Sequence, residues 1–156
     1  TPHRIPCMSR LILSSILVLL ALTACNQTVE DTRPGQPVKH RQDAFKAMLR
    51  AFEPMGVMLR DKQYDAGKFA ELSAALVARR DAPWEYFTAD TLYPPTKATA
   101  AVWERADEFE REREAFFAVT DALLAAAQTR ELEQVGPAYD KVYDSCKSCH
   151  NDFKKK

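Results

Sequence analysis

The 156-residue chain has little of what several fold and function classes require. It contains only four glycines, and no glycine-rich phosphate loop. Lysine plus arginine equals aspartate plus glutamate at 22 each, so no net charge indicates nucleic acid as a partner. No segment shows the apolar–polar alternation of a β-strand. Paired catalytic carboxylates, or a nucleophile beside a general base, are not evident either, so we do not expect an enzyme.

An uncharged apolar run near the start is too short to span a membrane. It extends from Leu11 to Ala24, whereas a transmembrane helix needs about 20 apolar residues. The run follows the basic start Met8-Ser9-Arg10 and ends in small residues, which is typical of an export signal. Leu22-Thr23-Ala24-Cys25 resembles the lipobox of bacterial lipoproteins, in which the cysteine is lipidated. A plain signal peptide with a cysteine at its cleavage site is the alternative.

These features predict three parts of the chain. Residues 1–25 are interpreted as upstream residues plus a lipoprotein-type signal peptide, and 26–37 as a flexible polar tether. Residues 38–156, about 120 in number, have the size of one domain. We therefore expect a protein of the bacterial periplasm that contacts a membrane only through a lipid anchor on Cys25.

Removal of the leader leaves few cysteines, and their spacing excludes a structural use. The expected mature domain has only Cys146 and Cys149, which would close too small a loop to stabilise a fold much. The pair is therefore predicted to serve chemistry. With His150 it forms Cys-x-x-Cys-His, which is compatible with a covalent haem, a redox dithiol or half of a zinc site.

Apolar residues recur at three-and-four spacing in four segments. Pro54 predicts a kink or break in the first, and Gly136-Pro137 a kink or delayed start in the fourth. Asp65 is the expected cap of the second. The predicted helices are Val38–Asp61, Asp65 to about Ala82, Thr96–Ala127, and Thr129 to the end of the chain. Together they predict an all-α fold, an antiparallel four-helix bundle.

The fourth predicted helix favours one of the three chemistries. Cys146 and Cys149 lie on its apolar stripe, and His150 follows Cys146 by one helical turn. Two thiols and an imidazole on one side of a helix suit the covalent attachment of haem, as in c-type cytochromes. A redox dithiol would lie where a strand enters a helix, and a structural zinc site needs four ligands. The other histidine of the domain, His40, is isolated in the sequence.

At this point the sequence resembles the class II c-type cytochromes, the cytochrome c′ family, over about residues 38–156. That family carries its haem on the last helix of a four-helix bundle. The resemblance implies one covalent haem c, with Cys146 and Cys149 forming the thioethers and His150 binding the iron. It rests on Arg41-Gln42, Tyr64-Asp65-Ala66, Ala82-Pro83-Trp84-Glu85-Tyr86-Phe87, Ala101-Val102-Trp103, and Cys146-Lys147-Ser148-Cys149-His150 with Phe153-Lys154.

The resemblance also implies roles for residues outside the haem motif. Arg41 and Gln42 are expected near the haem propionates, Thr99 near the haem edge, and Lys154 on the proximal side. Phe45 lies four residues after Arg41, at the position of the distal face. Phenylalanine has no lone pair for iron, so the resemblance implies a five-coordinate, high-spin haem.

The function implied is electron exchange with small redox proteins and binding of gases such as nitric oxide or carbon monoxide. A homodimer through the first two helices, as in many members of the family, is also expected. The alternative is a low-spin electron carrier in which Met48, three residues after Phe45, is the sixth ligand of the iron.

Overall fold

The computed structural model describes residues 29–156. Its helices are α1 (Pro37–Arg60), α2 (Ala66–Arg79), the single turn α3 (Ala101–Glu104), α4 (Ala106–Thr129) and α5 (Leu132–Phe153), with a 3-10 turn at Trp84–Tyr86. The four long helices form a bundle in which α1 packs on α2, α2 on α4, and α4 on α5. The described residues contain no strand, so the predicted all-α four-helix bundle is confirmed. Among them, no helix combines the length and the hydropathy that a membrane span requires.

The N-terminus of α1 is capped by a residue from the expected tether. The backbone N–H groups of Val38 and Lys39 donate to Asp31 Oδ2 at 3.0 and 3.1 Å. The Asp31 side chain is buried, and its carboxylate also accepts a hydrogen bond from the Tyr93 hydroxyl at 3.0 Å. The tether expected at 26–37 therefore ends at or before Asp31. The expected signal sequence and Cys25 lie outside the described residues.

Two of the prolines expected to disturb helices lie inside them. Helix α1 continues through Pro54 as far as Arg60, so the break considered as one outcome does not occur. Helix α5 begins at Leu132, ahead of Pro137, so this proline does not delay its start. Pro137 is the sixth residue of α5, beyond the N–H groups that lack an intrahelical partner, so it removes one backbone hydrogen bond without ending the helix.

The second predicted helix is confirmed at its start, and the third is wrong at its start. Asp65 accepts from the backbone N–H of Lys68 at 2.9 Å, as expected for an N-cap. The segment from Thr96 to Ala100 is not helical, because it pairs with the end of α5. The backbone N–H of Thr99 donates to the Phe153 carbonyl at 2.9 Å. Arg105 then separates α3 from α4 with a non-helical backbone.

The apolar stripes of the long helices meet in a main core cluster. Its fully buried members include Met55 of α1, Phe69 and Leu76 of α2, and Leu123 of α4. A smaller second cluster, built on Ala98, Val102 and Phe153, lies at the end of the bundle where α5 finishes.

Candidate functional site

The two cysteines of α5 lie partly buried between the two apolar clusters. Cys146 packs against the main cluster and Cys149 against the second one. Burial raises the pKa of the Cys146 thiol to about 11 and that of Cys149 to about 12, where the Glu112 carboxylate adds to the effect. Both are therefore neutral thiols near pH 7, whereas a redox dithiol needs a stabilised thiolate. This environment disfavours the dithiol alternative.

His150 has the form that an iron ligand needs. The side chain lies at the surface, and partial desolvation together with the Lys154 ammonium lowers its pKa. The imidazole is therefore mostly neutral at pH 7, with a lone pair available for a metal. No group of three or more His, Cys, Asp or Glu side chains among residues 29–156 is arranged to hold a metal ion. The zinc alternative thus lacks its remaining protein ligands in this part of the chain.

Helices α1 and α5 meet closely at one level of the bundle. The rings of Phe52 and Tyr139 are stacked at 4.4 Å, and a Cβ on Gly56 would lie 2.9 Å from Tyr139 Cζ. Elsewhere the two helices have few close approaches. Because they run antiparallel, Phe45 lies two turns from this contact on α1, level with Cys146 on α5. A flat cofactor attached to Cys146 would therefore face Phe45.

Phe45 belongs to an aromatic group that continues to the end of α5. Its ring stands edge-on to Trp84 at 5.6 Å and to Phe87 at 6.2 Å. Phe87 contacts Phe109 at 4.9 Å, and Phe109 contacts Phe153 at 5.2 Å. The distal position is thus surrounded by apolar rings. Met48, the alternative ligand, is 6% exposed and belongs to the main cluster.

Arg41 has partners that the sequence did not predict. The side chain is 3% exposed, and Nη1 donates to the Tyr86 carbonyl at 2.9 Å and to Thr91 Oγ1 at 3.0 Å. Nη2 donates to Thr96 Oγ1 at 2.7 Å, and the guanidinium lies 4.3 Å from the centre of the Phe87 ring. Both terminal nitrogens are therefore engaged by the connection between α2 and α3.

Gln42 acts on the same connection. Its Nε2 donates to the Pro95 carbonyl at 3.0 Å. These contacts hold residues 86–96 against α1, and the haem-propionate roles of Arg41 and Gln42 remain predictions. Sequence reasoning missed Thr91 and Thr96 because they lie about fifty positions from Arg41.

Thr99 and Lys154 lie beside His150, where the second cluster meets the end of α5. Ala98 and Lys154 form an antiparallel bridge, and the Lys154 N–H donates to the His150 carbonyl at 3.2 Å. The Thr99 hydroxyl is buried and has no hydrogen-bond partner in the described residues. Leaving a buried hydroxyl unpaired costs about 1–3 kcal/mol, so this atom is ready to donate to an acceptor such as a haem carboxylate. With two thiols and an imidazole nearby, the residues fit a covalent haem.

Comparison with known proteins assigns the family. A family model described as Cytochrome C' matches residues 36–154. The chain belongs to the cytochrome c′ family. A curated cytochrome c′ from Rubrivivax gelatinosus is 32% identical over 126 residues, which cover 80% of this chain and 98% of the relative.

Solved structures of the family share the fold. Cytochrome c prime from Shewanella frigidimarina gives a TM-score of 0.75 at 30% identity, covering 80% of this chain and 98% of that one. The nitric oxide complex of a variant cytochrome c prime from Alcaligenes xylosoxidans gives 0.74 at 30% identity, covering 81% and 100%. Membership of the cytochrome c′ family implies a covalently bound haem c. The individual roles of the site residues remain predictions.

Proposed function

We propose that this cytochrome c′ is a five-coordinate, high-spin haem protein of the bacterial periplasm that exchanges electrons and binds nitric oxide. One haem c is attached through Cys146 and Cys149, with His150 as the protein ligand of the iron. The observation that carries the proposal is the stacked contact of Phe52 with Tyr139, whose helical register places Phe45 level with Cys146. The bound haem supplies a one-electron iron centre with a vacant coordination position.

The surroundings of Phe45 support selectivity for small uncharged ligands. Its ring is held edge-on by Trp84 and Phe87, so the surface around Phe45 is largely apolar. Burial of an anion or of unpaired water against such rings is costly, whereas diatomic gases lose little on leaving water. The nitric oxide complex of the Alcaligenes xylosoxidans relative is consistent with this function.

A low-spin electron carrier with Met48 as sixth ligand is the second candidate. It is supported by the place of Met48 on α1, one turn beyond Phe45. Its side chain already has apolar neighbours in the main cluster, and ligation would remove it from them. The loss of that packing makes the five-coordinate state the preferred one.

Location and assembly complete the proposal. The lipobox-like Leu22-Thr23-Ala24-Cys25 supports export and a lipid anchor on Cys25. Leu49 and Val57 on α1 are 45% and 44% exposed, which supports a homodimer through α1 and α2. Sedimentation that finds only monomer at working concentrations would exclude the dimer.

The optical spectrum of the haem-loaded protein tests the coordination state. We expect the dithionite-reduced protein to show a broad Soret band without split α and β bands, and to bind carbon monoxide readily. Sharp α and β bands that are lost in Met48→Leu would establish the low-spin carrier instead. Phe45→Met provides the matched spectrum, because it places a thioether at the distal position of the same helix.

A further inference from the structure

Four exposed lysines lie together at the end of the bundle that carries His150. Two backbone contacts hold them there. The Lys155 N–H donates to the Lys97 carbonyl at 2.7 Å, and Lys154 forms the bridge with Ala98. The four, called the lysine patch below, are Lys97, Lys154, Lys155 and Lys156.

The charge of the lysine patch is not neutralised by ion pairs. None of its four ammonium groups takes part in the ion pairs within residues 29–156. Residues 96–101 and 150–156 contain these four lysines and a single acidic residue, Asp152. On one side the patch is bounded by α4, where Glu112 accepts from Ser148 at 3.0 Å. Since the whole chain is balanced at 22 charges of each sign, the patch is a local concentration of positive charge.

Like charges held close together repel one another and destabilise a fold, so the lysine patch is better explained by a partner outside the domain than by stability. The patch lies beside the residue that would bind the iron, since the Lys154 N–H donates to the His150 carbonyl and Lys154 pairs with the segment that carries Thr99. Any partner attracted to these lysines would be brought to the haem-bearing end of the molecule. Electrostatic attraction of this kind raises association rates and orients the partners.

We propose that the lysine patch is the docking surface for a small redox protein with an acidic face, which exchanges electrons with the haem held at His150. This inference rests on the haem function proposed above. No exposed large apolar side chain belongs to residues 96–101 or 150–156. That pattern suits a brief, polar electron-transfer encounter, whereas helices that lie on membranes insert apolar side chains.

Charge reversal in the holoprotein tests the proposal. The variant Lys97→Glu/Lys155→Glu keeps the backbone bond between these residues, and Arg50→Glu/Lys62→Glu is the control with the same net charge. The probes are reduced flavodoxin, a small acidic protein, and the cationic reagent hexaammineruthenium(II). At about 10 mM salt we expect the patch variant to accept electrons from flavodoxin about tenfold more slowly, and the control to change less than about twofold.

The salt dependence and the cationic probe sharpen the expected result. At about 1 M salt the difference between the variants should disappear, because the Debye length falls to about 3 Å. Hexaammineruthenium(II) should react faster with the patch variant than with the unmodified protein. If the first variant does not fold, Lys155→Glu/Lys156→Glu leaves Lys97 in place and carries the same expectation.

Distinct outcomes would overturn the proposal. Equal slowing in both variants would assign the effect to net charge, and no slowing would remove the docking role alone. Unchanged electron transfer with lost binding to vesicles of one part phosphatidylglycerol and three parts phosphatidylcholine would identify a membrane surface instead. Absence of a pyridine haemochrome spectrum in the unmodified protein would refute the proposed haem function, and the docking role with it.

Discussion

Arg41→Ala should destabilise the domain far more than the same change at an exposed arginine of the same helix. Arg41 makes three charged hydrogen bonds of 2.7–3.0 Å to Tyr86, Thr91 and Thr96. Such bonds contribute about 1.5–3 kcal/mol each, and their effects are not additive. Burial already disfavours the guanidinium cation, as the lowering of the Arg41 pKa shows. Relief of that desolvation cost offsets part of the lost hydrogen bonding, so the net loss in the free energy of unfolding should be about 3–5 kcal/mol, less than the sum of the three bonds.

Urea unfolding of matched variants measures this loss. Arg50→Ala removes an exposed arginine from α1 and should change the free energy of unfolding by less than about 0.5 kcal/mol. Arg41→Lys keeps the charge but not the planar fork, so it should recover only part of the stability. The reasoning fails if Arg41→Ala costs no more than Arg50→Ala while the haem midpoint potential shifts. That pair of results would instead support the predicted propionate role for Arg41.

Three further predictions test other contacts. Gly56→Ala should lower the free energy of unfolding in urea by about 1–3 kcal/mol, because the added methyl group would overlap Tyr139. In the control Gly136→Ala the methyl group meets nothing within 4 Å, so this change should stabilise the domain by about 0.5–1 kcal/mol. Equal effects of the two substitutions would refute the close α1–α5 contact. Burial would raise the pKa of the Asp31 carboxyl, but hydrogen bonds, that from the Arg33 backbone first, outweigh burial and lower this pKa. The Asp31 carboxylate therefore stabilises the fold above about pH 4, and this stabilisation is lost as pH falls through the lower pKa of the folded state. Asp31→Asn should flatten that acid limb of the stability curve, and an unchanged limb would contradict the role of the carboxylate. Thr99→Val removes a buried hydroxyl without a partner, so it should stabilise the haem-free protein by up to about 1 kcal/mol. The same change should lower the stability of the haem-loaded protein. Equal changes in the two forms would exclude a haem partner for this hydroxyl.

The parts of the fold predicted correctly from sequence depend on local patterns. Three-and-four spacing of apolar residues is the direct consequence of 3.6 residues per turn, so it located all four long helices. The Asp65 cap was equally local, since donor and acceptor are three residues apart. The haem motif was visible because Cys146, Cys149 and His150 are neighbours in the sequence as well as on α5.

The errors have a common physical origin in contacts between distant segments. Thr96 to Ala100 has a composition compatible with a helix, and only its pairing with Phe153 and Lys155 makes it extended. The hydrogen-bond acceptors of Arg41 were missed because they lie about fifty positions away in the sequence. Asp31 was placed in a polar tether because the proline and glycine that follow it mask a helix cap.

These same contacts explain how the bundle remains folded although α1 and α5 have few close approaches. Phe52, Gly56 and Tyr139 bring the two helices together at one level, and the main cluster extends from there. At the end where α5 finishes, the second cluster is small, so polar contacts add to it. Arg41 bonds to the connection between α2 and α3, and residues 97–99 pair with 153–155. Cys149 therefore packs where polar contacts supplement a small cluster, while the main cluster supplies most of the apolar stability.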